Sequence, residues 1–439
     1  MLEQQISAEE TLYVILLLLL IGGILINNIF SSKYYKLWSP LTVVGLTYLY
    51  YTVAGPLLSI YMDETYIRFT EHRPYFIHSW KAAFLSLLFL VIGYWISSHN
   101  YKVKELSFSN YNISKYAAKL YIIGFAGVLL AFGFSSLASI NFLSGDTLEQ
   151  TAIGGGFSNY FLFMMNLFIP SAALLLVNSI KNKRYNWILF LAILYPSALY
   201  ITLGFRYRVV LLILSLLATY YLYQKRRPNF IALSILGILV VTFMGIIGST
   251  RTYYSGLKKL ENLEGKSFFD MFLSGFSEAQ TFQSTGLLIE DVPKAHPHIG
   301  LQPVFESLAM PIPRQFWPDK PSGESLEAIY SIYQYETGIG EVSTGAAILN
   351  YGENYLAFGW IGVIIGAFVL GIILRIAWNW FLARKDNEIA VVLIAVFNSF
   401  IYVVISRGYL PQVTINFFFT VIPVYLLYYN LKKKSKTVQ

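Results

Sequence analysis

Apolar residues along this chain arrive in blocks rather than in stripes. Runs such as Tyr13 to Leu25 contain no polar position recurring with helical period, so nothing in them separates a wet face from a dry one. Blocks of about 18 to 22 such residues are long enough to cross a bilayer as helices. About eleven are predicted, at 12–29, 40–61, 77–97, 116–138, 158–180, 187–203, 209–223, 230–249, 354–379, 389–406 and 412–430. One long interval breaks the series. From Arg251 to Glu353 no continuous apolar run occurs, and charged residues, aromatics and prolines collect there instead.

Composition sharpens the picture. The 439 residues are 56% hydrophobic and only 13% charged, against roughly 25% charged in an average soluble domain. The expected fold class is an all-α polytopic membrane protein. The formal net charge of +8 matters through its placement. Lys33/Lys36, Lys102/Lys104/Lys115, Lys181/Lys183/Arg184, Lys225/Arg226/Arg227, Arg384/Lys385 and Lys432/Lys433/Lys434 cluster between predicted spans or after the last. With eleven spans, the amino terminus outside and the carboxyl terminus inside, every one of these clusters falls on the cytoplasmic side, as the bias of basic loops demands. The first apolar run follows Glu3, Glu9 and Glu10 rather than a basic region, which argues against a cleaved signal peptide. The chain then reads as eight spans (1–249), one large, partly helical external segment (250–353), and three spans with a basic cytoplasmic tail (354–439). Cysteine is absent, so disulfides and thiolate metal sites are ruled out.

The same topology places Arg68, Arg73, Arg206, Arg208, Arg251, Arg314 and Arg407 outside, where cations are disfavoured. Arg206, Arg208, Arg251 and Arg407 stand at predicted membrane boundaries. Singly, each is explained as well by snorkelling to lipid phosphates. Together they suggest an anion site, because guanidinium forks grip phosphate oxygens in pairs. The carriers are Gly204-Phe205-Arg206-Tyr207-Arg208, Ser249-Thr250-Arg251-Thr252-Tyr253-Tyr254 and Ser406-Arg407-Gly408-Tyr409. If these meet, a lipid diphosphate with its tail in the bilayer fits between them. Tyr253 and Tyr409 are candidate contacts, with interfacial anchoring as the plainer role.

Within the external segment, Phe268, Phe269, Met271 and Phe272 predict an amphipathic helix on or near the membrane. Pro311, Pro313 and Pro318 stiffen the string around Trp317. Gly204/Arg206, Arg251, Trp317-Pro318-Asp319-Lys320-Pro321-Ser322, the glycine-rich approach from Ser343 through Phe358-Gly359, and Arg407-Gly408 follow one another in this order. The ordered set resembles the Wzy-type O-antigen and capsule polymerases, including the enterobacterial common antigen polymerase, from about the fifth span to the end. The resemblance implies a multi-span, GT-C-like glycosyltransferase in a bacterial cytoplasmic membrane, with its active site facing the periplasm or cell exterior. Its implied substrates are undecaprenyl-diphosphate-linked repeat units, the growing glycan passing to the nonreducing end of a new unit. A chain-length regulator and a flippase are the implied further partners; nucleic acid is not expected.

Displacement at an anomeric carbon releases a diphosphate, so cations should stand where that charge grows. Arg206 and Arg251 are the catalytic candidates, with Arg208 and Arg407 as diphosphate ligands. Arg314 and Lys320 are candidates for diphosphate or acidic sugars, and Trp317 for stacking on a sugar face. No Asp-x-Asp pair occurs on the outer side, so neither a metal nor another cofactor is expected. Inversion would need a base for the acceptor hydroxyl. Glu353 is the first choice, with a helix-start carboxylate as the competing role; Glu278, Glu341, His296 and His298 follow. An O-antigen ligase would use the same donor. A flippase or other transporter would place ionisable residues deep inside several spans, whereas here the span centres are nearly devoid of charge, and no internal repeat is visible.

Overall fold

The computed structural model describes residues 6–62, 66–67, 70–71, 73–97, 112–133, 158–183, 187–250, 263–321, 323, 325, 327–329 and 347–437. In chain order its principal helices are α1 (Ala8–Ile29), α2 (Pro40–Tyr61), α3 (Arg73–Ile96), α4 (Ile113–Phe132), α5 (Tyr160–Lys181), α6 (Trp187–Thr202), α7 (Arg206–Gln224) and α8 (Phe230–Thr250). There follow α9 (Phe268–Ser274), α10 (Gln280–Asp291), α11 (Gln302–Ala309), α12 (Asn350–Leu382), α13 (Glu388–Ser406), α14 (Leu410–Thr420) and α15 (Ile422–Lys433). Nine of these are long and apolar enough to cross a membrane, and α14 with α15, bent by 44°, passes the same test as a pair. The 16 residues of α6 reach only about 24 Å, short of a typical ~30 Å hydrocarbon core. Each predicted apolar segment overlaps one of these helices, and the protein is a polytopic, helical membrane protein. The described strands are a two-residue antiparallel ladder pairing Tyr66 with Glu71 and Ile67 with Thr70.

The two ends of the bundle differ in chemistry. At one end Lys181 pairs with Glu388 at 3.0 Å, and Lys225 pairs with Asp386. Nearby in sequence, the Arg384 Nε–H donates to the Tyr428 hydroxyl at 2.9 Å. Exposed pairs of this kind stabilise by only ~1 kcal/mol or less. Their interest is positional, since they gather the ends of α5, α7 and α15 and the start of α13. At the start of α1, Ser7 and Glu10 form a reciprocal capping box. The Glu10 carboxylate also takes a two-pronged contact from Arg73, one arm at 2.8 Å. Arg73, out of place by the basic-loop rule, is therefore held by a partner carboxylate.

The described part of the external interval, chiefly 263–321, packs against the spans. A Cβ added at Gly245 would lie 2.1 Å from the Met271 carbonyl oxygen, and one at Gly275 would lie 2.2 Å from that of Val241. Helix α9 and the turn after it thus descend along α8. The Phe276 ring stacks on Tyr50 at 5.0 Å, and Tyr50 sits midway along α2. The chain returns through α10, which is buried on nearly every side, with Phe282, Leu287 and Leu288 fully enclosed. Phe268, Phe269, Met271 and Phe272 do lie on a helix, the seven-residue α9, with Phe268 and Phe269 58% and 61% exposed.

Span nine also departs from the prediction of one continuous segment beginning at 354. Helix α12 breaks at Phe358 (φ −142°, ψ 22°) and Gly359 (φ 62°, ψ −148°). A positive φ of that kind is strained for any residue with a side chain. Beyond the break the chain doubles back. A Cβ at Gly362 would lie 2.0 Å from the Asn354 carbonyl oxygen, and one at Gly366 would lie 2.6 Å from the Asn354 amide nitrogen. In a straight helix residues 354 and 366 stand about 18 Å apart, so the segment around Asn354 lies folded against the first turns after the break. The predicted span runs through the break because Tyr355, Leu356, Ala357 and Phe358 lead straight into the apolar residues after Gly359.

Candidate functional site

The fold-back gives Glu353 its position. Residues 350–357 are tied at both ends. At the start, the Leu349 N–H donates to the Thr285 hydroxyl on α10 at 2.9 Å. At the finish, the Ile299 and Gly300 N–H groups donate to the carbonyls of Leu356 and Ala357 at 3.1 and 3.0 Å, covering acceptors that a helix end leaves open. His298 belongs to this seal. Its Nδ1 lies 3.3 Å from the Leu356 carbonyl oxygen, and its ring meets Tyr355 edge-on at 5.9 Å. His298 is nonetheless exposed as a residue, whereas His296 is half-buried, with Nδ1 on its neighbour's carbonyl.

Glu353 itself is buried, and its Oε1 accepts the Leu410 N–H at 2.7 Å. Leu410 is the first residue of α14, whose N-cap Tyr409 supplies no side-chain cap. The carboxylate thus stands at the start of its own helix while capping a different one. Arg407 lies three residues before Leu410, and Gly408 fixes the approach. The Gly408 N–H donates to the Ile348 carbonyl at 2.7 Å, and a Cβ there would come within 2.4 Å of the Leu349 carbonyl oxygen. Only a residue without a side chain lets the Arg407 segment lie against the segment leading to Glu353.

Glu353 and Arg407 line one cavity of about 510 Å³. Asn350 and Asn354 complete its polar end. Ile361, Ile365, Leu370, Val404 and Val413 line a wholly apolar remainder that runs down span nine. One carboxyl in this region was missed by sequence reasoning. Glu306 on α11 is 1% exposed, accepts the Ser325 N–H at 3.0 Å, and acts electrostatically on Glu353. A single glutamate in a short amphipathic helix gave no signal in sequence.

The arginines of the 204–208 turn are both buried, at 6% for Arg206 and 2% for Arg208. Neither snorkels to the surface. Arg206 lies over Gly248 and donates from Nη1 to the Met244 carbonyl at 3.4 Å, reaching the end of α8. Arg208 is surrounded by rings, its Cζ standing 4.1 Å from Phe205, 5.5 Å from Tyr207 and 5.9 Å from Tyr200. Arg407 lies 5.7 Å from the same Tyr207 ring. The turn and the α13–α14 junction, about two hundred residues apart in sequence, therefore meet across one tyrosine. Cation–π contacts contribute roughly 0.5–2 kcal/mol each, while burying a guanidinium costs several. The Nε and Nη1 of Arg208 find no acceptor among the described residues.

The remaining predicted residues divide. Lys320 is buried, and its ammonium donates to the Ile312 carbonyl at 2.7 Å, the Tyr160 hydroxyl at 3.1 Å and the Met310 carbonyl at 3.3 Å. That cage fastens the proline-rich string to the start of α5. Trp317, at 43%, and Arg314 on the same string are exposed. Arg251, Tyr253 and Glu341 lie outside the described residues, as does the side chain of Glu278. A family model described as O-antigen polysaccharide polymerase Wzy matches residues 5–436. No curated protein and no solved structure matches the chain.

Proposed function

Since the chain belongs to the O-antigen polysaccharide polymerase Wzy family, whose members join oligosaccharide repeat units, we propose a specific division of labour for the Glu353–Arg407 cavity. The donor is a glycan on undecaprenyl diphosphate, at the periplasmic face of the cytoplasmic membrane. Its diphosphate lies toward Arg407, with the buried guanidinium of Arg208 behind it across Tyr207; Arg206 points to α8 and adds positive charge from outside the cavity lining. The acceptor is the nonreducing end of a second lipid-linked repeat unit. Glu353 takes the proton from the acceptor hydroxyl as that oxygen bonds to the anomeric carbon. The bond from that carbon to the diphosphate oxygen breaks, and the charge left on the diphosphate falls to the fixed arginines. Arginine serves in place of a metal ion.

The observation that carries this reading is the shared cavity. A buried carboxylate and an arginine occupy its polar end, and the rest is hydrocarbon. Glu353→Gln tests it, because glutamine still accepts the Leu410 N–H but cannot take a proton. Membranes of cells carrying the variant at normal abundance should contain single repeat units and no polymer. Full-length polymer would sink the assignment. Lipid analysis of a deletion strain separates the rivals: a ligase deletion would leave long chains on undecaprenyl diphosphate, and a flippase deletion would leave repeat units on the inner leaflet.

A further inference from the structure

A second cavity, about 380 Å³ in volume, lies lower along the same helices. On α12 it is lined by Ile373, Ile376, Ala377 and Trp380, where the upper cavity uses Ile361, Ile365 and Leu370. At 100° per residue the seven positions cover one half of the helix circumference, the four lower ones lying within the arc bounded by the three upper ones. The partner elements show the same continuity. Val404 above is followed by Phe397 and Leu393 below on α13, and Val413 by Phe417 and Val421 at the α14–α15 bend. From Ile361 to Trp380 the helix rises about 28 Å, which matches a hydrocarbon core of roughly 30 Å. The slot is also open at its side, since Ile361, Ile365, Ile373 and Ile376 are between 41% and 66% exposed.

We infer that the two cavities are one lateral groove that seats the tail of a polyprenyl diphosphate across the whole bilayer, with its head at Arg407. The assignment rests on the lipid-diphosphate reading above and extends it to a hydrocarbon subsite. Length chooses the occupant. A phospholipid acyl chain fills one leaflet, about half of the ~30 Å core, so no single acyl chain reaches from Arg407 to Trp380, whereas one polyprenyl chain does. Charge agrees, because the cation stands at the outer end, where a diphosphate head must lie, and the remainder of the groove is apolar.

Binding of undecaprenyl diphosphate and geranylgeranyl diphosphate to the purified full-length protein, followed by native mass spectrometry, tests this. The long probe should bind tighter by about ten-fold or more. Ala377→Trp, which fills the lower groove, should remove that advantage while leaving geranylgeranyl diphosphate affinity unchanged, which also reports intact folding. Ile373→Trp, at a more exposed position, should act in the same direction. Equal affinity of wild-type protein for the two probes, or equal competition by phosphatidylglycerol, would overturn the inference by showing an annular lipid site only. Arg407→Ala should weaken both probes. A preserved length advantage with no effect of Arg407→Ala would uphold the groove and remove the headgroup assignment instead.

Discussion

Arg208 and Arg407 rest against one ring, that of Tyr207, at 5.5 and 5.7 Å. The pairing joins the turn after α6 to the junction before α14, and it places a fully buried guanidinium next to one that lines the cavity. Arg208→Lys keeps the charge but loses the planar fork and its fit among three rings. Polymer formation should fall sharply with protein abundance unchanged. Wild-type polymer yield in Arg208→Lys would show that the charge alone suffices. Arg206→Ala and Arg251→Ala are expected to abolish polymer while leaving expression intact, and full-length polysaccharide in both would remove the arginine mechanism.

Glu353 should separate proton transfer from packing. General-base help contributes typically 10²–10⁴-fold, so Glu353→Gln in reconstituted membranes should lose a rate factor of that order with an unchanged melting temperature. Glu353→Ala should also lower the melting temperature, because the Leu410 N–H loses its acceptor. An uncapped buried donor costs about 1–3 kcal/mol. Equal melting temperatures for the two variants would show that the α14 cap contributes nothing.

Gly408→Ala introduces a carbon 2.4 Å from the Leu349 carbonyl oxygen. That neighbour is backbone and must shift. Overpacking of this kind typically costs 1–3 kcal/mol, and here the movement would also part Arg407 from Glu353. A combined loss of thermal stability and of polymer is expected. Unchanged polymer chain length and yield would mean that the approach of the two segments is not needed for the reaction.

Lys320→Ala should read as a stability defect. The ammonium is enclosed by its own loop and Tyr160, and removing it strands buried carbonyls. Melting temperature should fall, while affinity for undecaprenyl diphosphate, measured below the transition, stays near wild type. A selective loss of diphosphate affinity at full stability would return Lys320 to the anion site.

The positions of the spans were legible because each is a matter of length and apolarity. The basic ends were legible in part, since the paired Lys181 and Lys225 come from predicted basic clusters. The arginines at 206, 208 and 407 stood out because cations oppose the expected sign of their loops. What hydropathy does not carry is direction. Residues 354–379 read as one span with Glu353 at its mouth, and the reversal at Phe358-Gly359 inside it was not read from the sequence. Likewise the descent of Phe276 to Tyr50 depends on close backbone contacts at Gly245 and Gly275, which link positions far apart in sequence. Glu306 went unnoticed because its relation to Glu353 exists only after α11 is docked.

The piece of chain that carries Glu353 is anchored largely by main-chain donors and acceptors: Leu349 to Thr285, Ile348 to Gly408, and Leu356 and Ala357 to residues 299 and 300. Peptide groups are common to nearly every amino acid. An arrangement fastened through them leaves most neighbouring letters free to drift, so two enzymes could share this reactive geometry while agreeing at little more than a glycine, an arginine and a glutamate.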